Sequence, residues 1–125
     1  EAKRVVLCSG KVYYHLLEER EERGITDIAL VRLEQLYPFP DLELDEVLAP
    51  YRGLESAVWC QEEPMNQGAW YSSQHHIRNA LQRLDPKLDL TYAGRIGSAA
   101  PASGYMSVHL EEQRKFIDEA LTLDA

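Results

Sequence analysis

Three short apolar runs, at residues 4–8, 28–33 and 57–61, and a fourth strand-like segment at 88–93 alternate with stretches of helical periodicity. This pattern limits the chain more than any other feature. Runs of this length, rich in Val, Ile and Leu, suit strands buried on both faces, as in a parallel sheet. Helix-length segments between them supply the crossovers that parallel strands require. The expected fold is α/β: one domain over residues 1–125, with a mainly parallel open sheet flanked by helices. The length of 125 residues fits one domain with a real core.

The helices announce themselves by spacing and by their ends. Val12, Leu16 and Leu17 form the apolar face of the first, an acidic and basic run covers its other face, and Gly24 supplies a left-handed stop. Glu19 and Arg23 are placed for an i,i+4 pair. Two prolines around Phe39 predict a stiff loop at Tyr37-Pro38-Phe39-Pro40. Asp41 then reads as the N-cap of a short helix with Leu44, Val47, Leu48 and Tyr51 facing inward. A second long helix is expected over residues 69–84, with Ile77, Ala80, Leu81 and Leu84 on its core face. Ser107 reads as the N-cap of a last helix that buries Phe116, Ile117, Ala120 and Leu121.

The stretch from Ala57 to Tyr71 is the most distinctive. An apolar strand runs into Glu62-Glu63-Pro64, turns through Asn66-Gln67-Gly68 and restarts as a helix near Trp70. Open α/β sheets build sites at such strand ends. The first strand ends similarly, in Ser9-Gly10-Lys11 ahead of a helix. Free amides and the dipole at a helix start could hold an anion there, with Lys11 adding charge. Alternatively, Ser9 is simply a cap.

Other chemistry is sparse. Adjacent Glu62 and Glu63 point to opposite sides of a strand, so they do not form an acid/base pair. Adjacent His75 and His76 diverge on a helix and do not share a metal; His15 and His109 stand alone. Dinucleotide, P-loop and nucleophile-elbow motifs do not occur. The net charge of −8 argues against nucleic acid and anionic membrane as partners. Cys8 and Cys60 fall inside strands and read as buried thiols, which fits a reducing compartment: bacterial cytoplasm or mitochondrial matrix. The chain opens at Glu1 without a signal peptide, as expected for a domain of a longer polypeptide or for a processed product.

Five segments together carry a resemblance. They are residues 5–14, 31–40 and 58–70, Tyr92-Ala93-Gly94-Arg95, and residues 98–109. In this order they resemble the C-terminal domain of the E1 component of 2-oxoglutarate dehydrogenase, across nearly the whole chain. The resemblance implies a transketolase C-terminal-type fold and a parent enzyme that decarboxylates 2-oxoglutarate and succinylates the lipoyl group of its E2 partner. It implies thiamin diphosphate and magnesium bound by preceding domains of E1, a homodimer partner, and no catalytic residue in this fragment, which alone would be inactive. It makes Ser9, Lys11, Arg32 and Gln35 candidates for a regulatory nucleotide. Asp41 and Glu43 stand where acetyl-CoA-responsive relatives can carry a basic run, which argues against acetyl-CoA more than against AMP. Trp59, Trp70 and the small-residue segment 94–105, including Ala100 and Ala102, are expected at an interface with other domains or a second subunit. The rival functions are a freestanding nucleotide-binding module and a plain dimerisation module.

Overall fold

The computed structural model of the chain describes residues 1–95 and 106–123, with side chains in the last helix described from residue 110. Its elements are β1 (Arg4–Cys8), α1 (Val12–Glu22), β2 (Ile28–Arg32), α2 (Asp41–Leu48), β3 (Ser56–Gln61), α3 (Trp70–Leu84), β4 (Leu90–Gly94) and α4 (Met106–Leu121). The strands form a parallel sheet in the order β2-β1-β3-β4. The α/β expectation and the parallel sheet are therefore met.

Strand alternation sorts the core into two layers. Val5, Leu7, Ala57, Trp59 and Leu90 face a layer with Leu44 and Leu48 of α2 and Trp70, Ile77, Ala80 and Leu81 of α3. Val6, Cys8, Val58, Cys60 and Ala93 face the other way, onto Val12 and Leu16 of α1 and Phe116, Ile117, Ala120 and Leu121 of α4. Because β1 has a strand on each side and helices on both faces, Val5 through Cys8 are fully buried. The uniformly apolar sequence of β1 reflects that position.

Helix ends are finished by the backbone and by distant arginines. At Gly24 (φ 66°) the Ile25 amide donates to the Arg20 carbonyl at 3.1 Å, closing α1 in the expected left-handed turn. Arg4 Nη1 donates to the Glu119 and Ala120 carbonyls, each at 3.0 Å, and so caps the last turn of α4 from β1.

The expected side-chain caps are not used. Lys11 is the N-cap of α1 and Pro40 that of α2, both without a side-chain cap bond. Ser9 thus lies outside the cap position, Asp41 is already helical, and Ser107 falls inside α4. Val47 is 45% exposed because α2 is a short helix whose core-facing stripe is filled by Leu44 and Leu48. Leu88 lies in the turn before β4, where it is still buried.

Cys8 and Cys60 are register partners on β1 and β3, and both thiols are free. Burial pushes the Cys8 thiol up to about 12 and raises that of Cys60 as well. Since the thiolate is the reactive form, neither cysteine should react with Ellman's reagent at pH 8 until the domain unfolds. Labelling rates followed against urea should rise with the unfolding transition; fast labelling of the folded protein would show that the sheet centre opens.

Candidate functional site

In the order β2-β1-β3-β4 the chain turns to opposite sides after β1 and after β3. In open α/β sheets such a switch point leaves a crevice at the carboxyl ends of the two strands. Here it is a cavity of about 360 Å³. Ser9 and Gly10 come from the end of β1, Trp59, Gln61 and Glu63 from β3 and its corner, Gln67, Gly68 and Ala69 from the approach to α3, and Ser72 from its first turn; Leu36 closes the remaining side.

Gln61, only 2% exposed, organises this corner. Trp59 and Gln61 are two residues apart on one strand and so share a face. The indole Nε1–H of Trp59 donates to Gln61 Oε1 at 2.9 Å, and the backbone N–H of Trp70 donates to the same oxygen at 3.2 Å. Gln61 Nε2 donates in turn to the carbonyls of Glu63 (3.0 Å) and Pro64 (2.9 Å). Both donors and both acceptor positions of the carboxamide are thereby used. The side chain also caps α3 in place of a local residue, since Ala69 at the N-cap offers none. Gly68 is required for this packing, because a Cβ there would overlap the Gln61 carboxamide.

A second set of bonds ties the corner to β4 and α4. The Met65 amide donates to the Arg95 carbonyl at 2.9 Å, and Tyr92 Oη donates to that carbonyl at 2.7 Å. Arg95 Nη1 donates to the Glu62 carbonyl, and its Nε pairs with Glu112 of α4 at 3.1 Å. Burial pushes the Tyr92 hydroxyl up to about 12, with Cys60 and Glu63 adding to the effect.

The four residues singled out for a nucleotide lie around the carboxyl ends of β1 and β2, where Cys8 and Arg32 are register partners. Ser9 lines the crevice, whereas Lys11 is exposed at the start of α1. Arg32 Nη1 donates to Tyr14 Oη at 2.8 Å, its Nε pairs with Glu34 at 3.2 Å, and its guanidinium lies 4.8 Å over the Tyr13 ring. Gln35 Nε2 donates to the Pro38 carbonyl at 3.0 Å. The Gly10 amide points at Glu34 Oε2, 3.4 Å away, so a carboxylate stands where an anion was expected. Trp59 and Trp70, expected at an interface, are 1% and 7% exposed and pack in the domain's own core. The Trp59 indole is held there by its bond to Gln61, and the Trp70 ring packs beside Tyr92. Ala100 and Ala102 lie outside the described residues. The His76 ring stacks on Phe39 at 4.6 Å and lies 4.1 Å from His75. Among the described residues no three His, Cys, Asp or Glu side chains gather as a metal site. The roles of Gln61, Gly68 and Arg95 were not read from sequence, although a Gln ending an apolar strand two residues after a Trp was a usable signal.

Residues 1–121 match the family described as 2-oxoglutarate dehydrogenase C-terminal. The chain is 59% identical over 123 residues to the 2-oxoglutarate dehydrogenase E1 component of Azotobacter vinelandii, covering 98% of this chain and 13% of the relative. It is 50% identical over 122 residues to the E1 component of Haemophilus influenzae, with the same coverage of each. Among solved structures it is similar in fold to a chain titled split gene transketolase, inactive beta4 tetramer, at a TM-score of 0.62 and 17% identity, covering all of this chain and 41% of that one.

Two outcomes follow from the corner. Gln61→Leu strands two buried donors and two carbonyls, so it should cost roughly 2–5 kcal/mol in urea denaturation, more than an ordinary surface change. Tyr92 holds its proton more tightly folded than unfolded, where its pKa is about 10. Its contribution is complete below about pH 10 and fades as pH rises through about 12. Tyr92→Phe should therefore flatten the alkaline limb of a stability–pH curve; an unchanged limb would place the effect elsewhere.

Proposed function

The chain belongs to the 2-oxoglutarate dehydrogenase C-terminal family, and we propose that it serves as a non-catalytic scaffolding domain of an E1 component acting on 2-oxoglutarate. The observation that carries this is the match itself: 98% of the chain aligns at 59% identity, yet it spans only 13% of the relative's length. Most of the parent protein, and with it the room for an active site, lies beyond this domain.

The residues present do not fit the thiamin diphosphate and metal that the family implies. A diphosphate and its metal require cationic groups or helix amides together with a set of oxygen ligands. In the crevice the ionised lining side chain is Glu63, of the wrong sign for a diphosphate, and the amide at Gly10 faces Glu34. We therefore assign the cofactor to other parts of the parent, which would pass a succinyl group to the lipoyl arm of E2 and assemble as a homodimer. Two adjacent unpaired thiols support a reducing compartment, cytoplasm or mitochondrial matrix.

A nucleotide at Ser9, Lys11, Arg32 and Gln35 would have to displace Glu34 from Arg32 and from the Gly10 amide. If that site operates, Glu34→Gln should tighten AMP binding in calorimetric titration of the parent, and a Lys11→Ala, Arg32→Ala double variant should abolish it. If neither variant changes the affinity, the site is elsewhere.

The parent protein, supplied with thiamin diphosphate and magnesium, should decarboxylate 2-oxoglutarate, whereas the 125 residues alone should give no turnover above background. Turnover by the domain alone, or a parent active only on other 2-oxo acids, would overturn this reading.

A further inference from the structure

Two nucleophilic side chains lie in the sheet and take no part in the crevice or its corner. Cys8 of β1 and Cys60 of β3 are register partners on neighbouring parallel strands, and both thiols are free. They belong to the same core layer, with Val12, Leu16, Phe116 and Ala120, and both are fully buried. Neighbouring strands run about 4.8 Å apart, so the two side chains stand side by side at that spacing. A disulfide requires Cβ atoms about 3.8 Å apart, closer than such partners come without bending a strand. A linear sulphur–metal–sulphur unit is longer than a disulfide and suits the strand spacing.

We propose that Cys8 and Cys60 form a two-coordinate site for a soft divalent ion, of which the mercuric ion is the type, held as a neutral bis-thiolate between β1 and β3. Thiolate ligands select soft metals. Among the described residues no three His, Cys, Asp or Glu side chains gather, so zinc, which takes four ligands in structural sites, is not served. Charge then selects among the soft ions. Burial disfavours a lone thiolate and keeps both thiols protonated at neutral pH. A monovalent ion between two thiolates leaves one buried negative charge, which the same burial opposes, whereas a divalent ion leaves none. Transfer from a mercuric complex of a small thiol involves no redox change. Two mercury–sulphur bonds to the small thiol break, two to Cys8 and Cys60 form, and the two protein thiol protons pass to the departing thiolates. Two sulphurs fixed on adjacent strands act as one chelate, with an effective concentration of roughly millimolar or more, so they outcompete single thiols. Entry requires the sheet centre to open, and the bound ion then joins β1 to β3 independently of their backbone ladder.

Mercuric glutathione tests the site on the intact parent protein. The protein is incubated with it in urea below the unfolding midpoint, where openings are frequent, and then returned to buffer. Metal analysis should find one more mercury per chain in the wild type than in Cys8→Ala or in Cys60→Ala, and the double variant should hold no less than either single one. Equal mercury in the wild type and either single variant overturns the pair. Should a variant fail to fold, the wild type alone decides. Crystals of the loaded parent should show an anomalous scattering peak between the Sγ atoms of Cys8 and Cys60. A peak on one sulphur only, or none at this pair, overturns the proposal.

Discussion

The Gln61 carboxamide lies where β3, the Glu62–Pro64 corner and α3 meet, and its four hydrogen bonds join all three. A buried amide with one bond missing costs about 1–3 kcal/mol, so the geometry holds only when all four partners are in place. That requirement explains several residues at once. Trp59 supplies a donor from the same strand face, Gly68 leaves room, and the turn through Pro64 presents its carbonyls inward. The crevice is the space left between this corner and the Ser9-Gly10 turn of β1.

Arginines extend the same logic outward. Arg4 ties β1 to the end of α4, Arg95 ties the corner to α4, and Arg20 ties α1 to the Ile28 carbonyl at 3.0 Å. Arg78 bridges α3 to Asp89 at 2.9 Å and to the Leu90 carbonyl at 3.1 Å. The exposed ion pairs among these contribute about 0–1 kcal/mol each, so their value is more positional than energetic. These cations are turned onto the domain's own carbonyls and carboxylates.

The sheet was legible in the sequence because β1, β2 and β3 are largely apolar runs and the segments between the strands are long enough for helices. β1 and β3 read well for a physical reason: both are covered on two faces, so both faces are apolar. Caps were misread, since the expectation looked for local side chains at Ser9, Asp41 and Ser107. The structure leaves the starts of α1 and α2 without a side-chain cap, and closes the start of α3 with Gln61 and the end of α4 with Arg4, both distant in sequence. No local pattern encodes such a pairing. The surroundings of the site were equally hidden. Arg32 is a nucleotide candidate by resemblance, and its neighbours Tyr13, Tyr14 and Glu34 come together only in the fold. The tryptophans were expected at an interface, while the indole of Trp59 is held inside by its bond to Gln61 and that of Trp70 packs in the core.

Hydrogen exchange at two tryptophan protons tests that organising role most directly. In ¹⁵N-resolved NMR, the Trp59 indole Nε1–H and the Trp70 backbone N–H share one acceptor, Gln61 Oε1. Both should exchange only through global unfolding, with equal opening free energies that fall together as denaturant is added. Rapid or unequal exchange of the two under native conditions would contradict the account, because it would mean that the corner opens while the sheet stays folded.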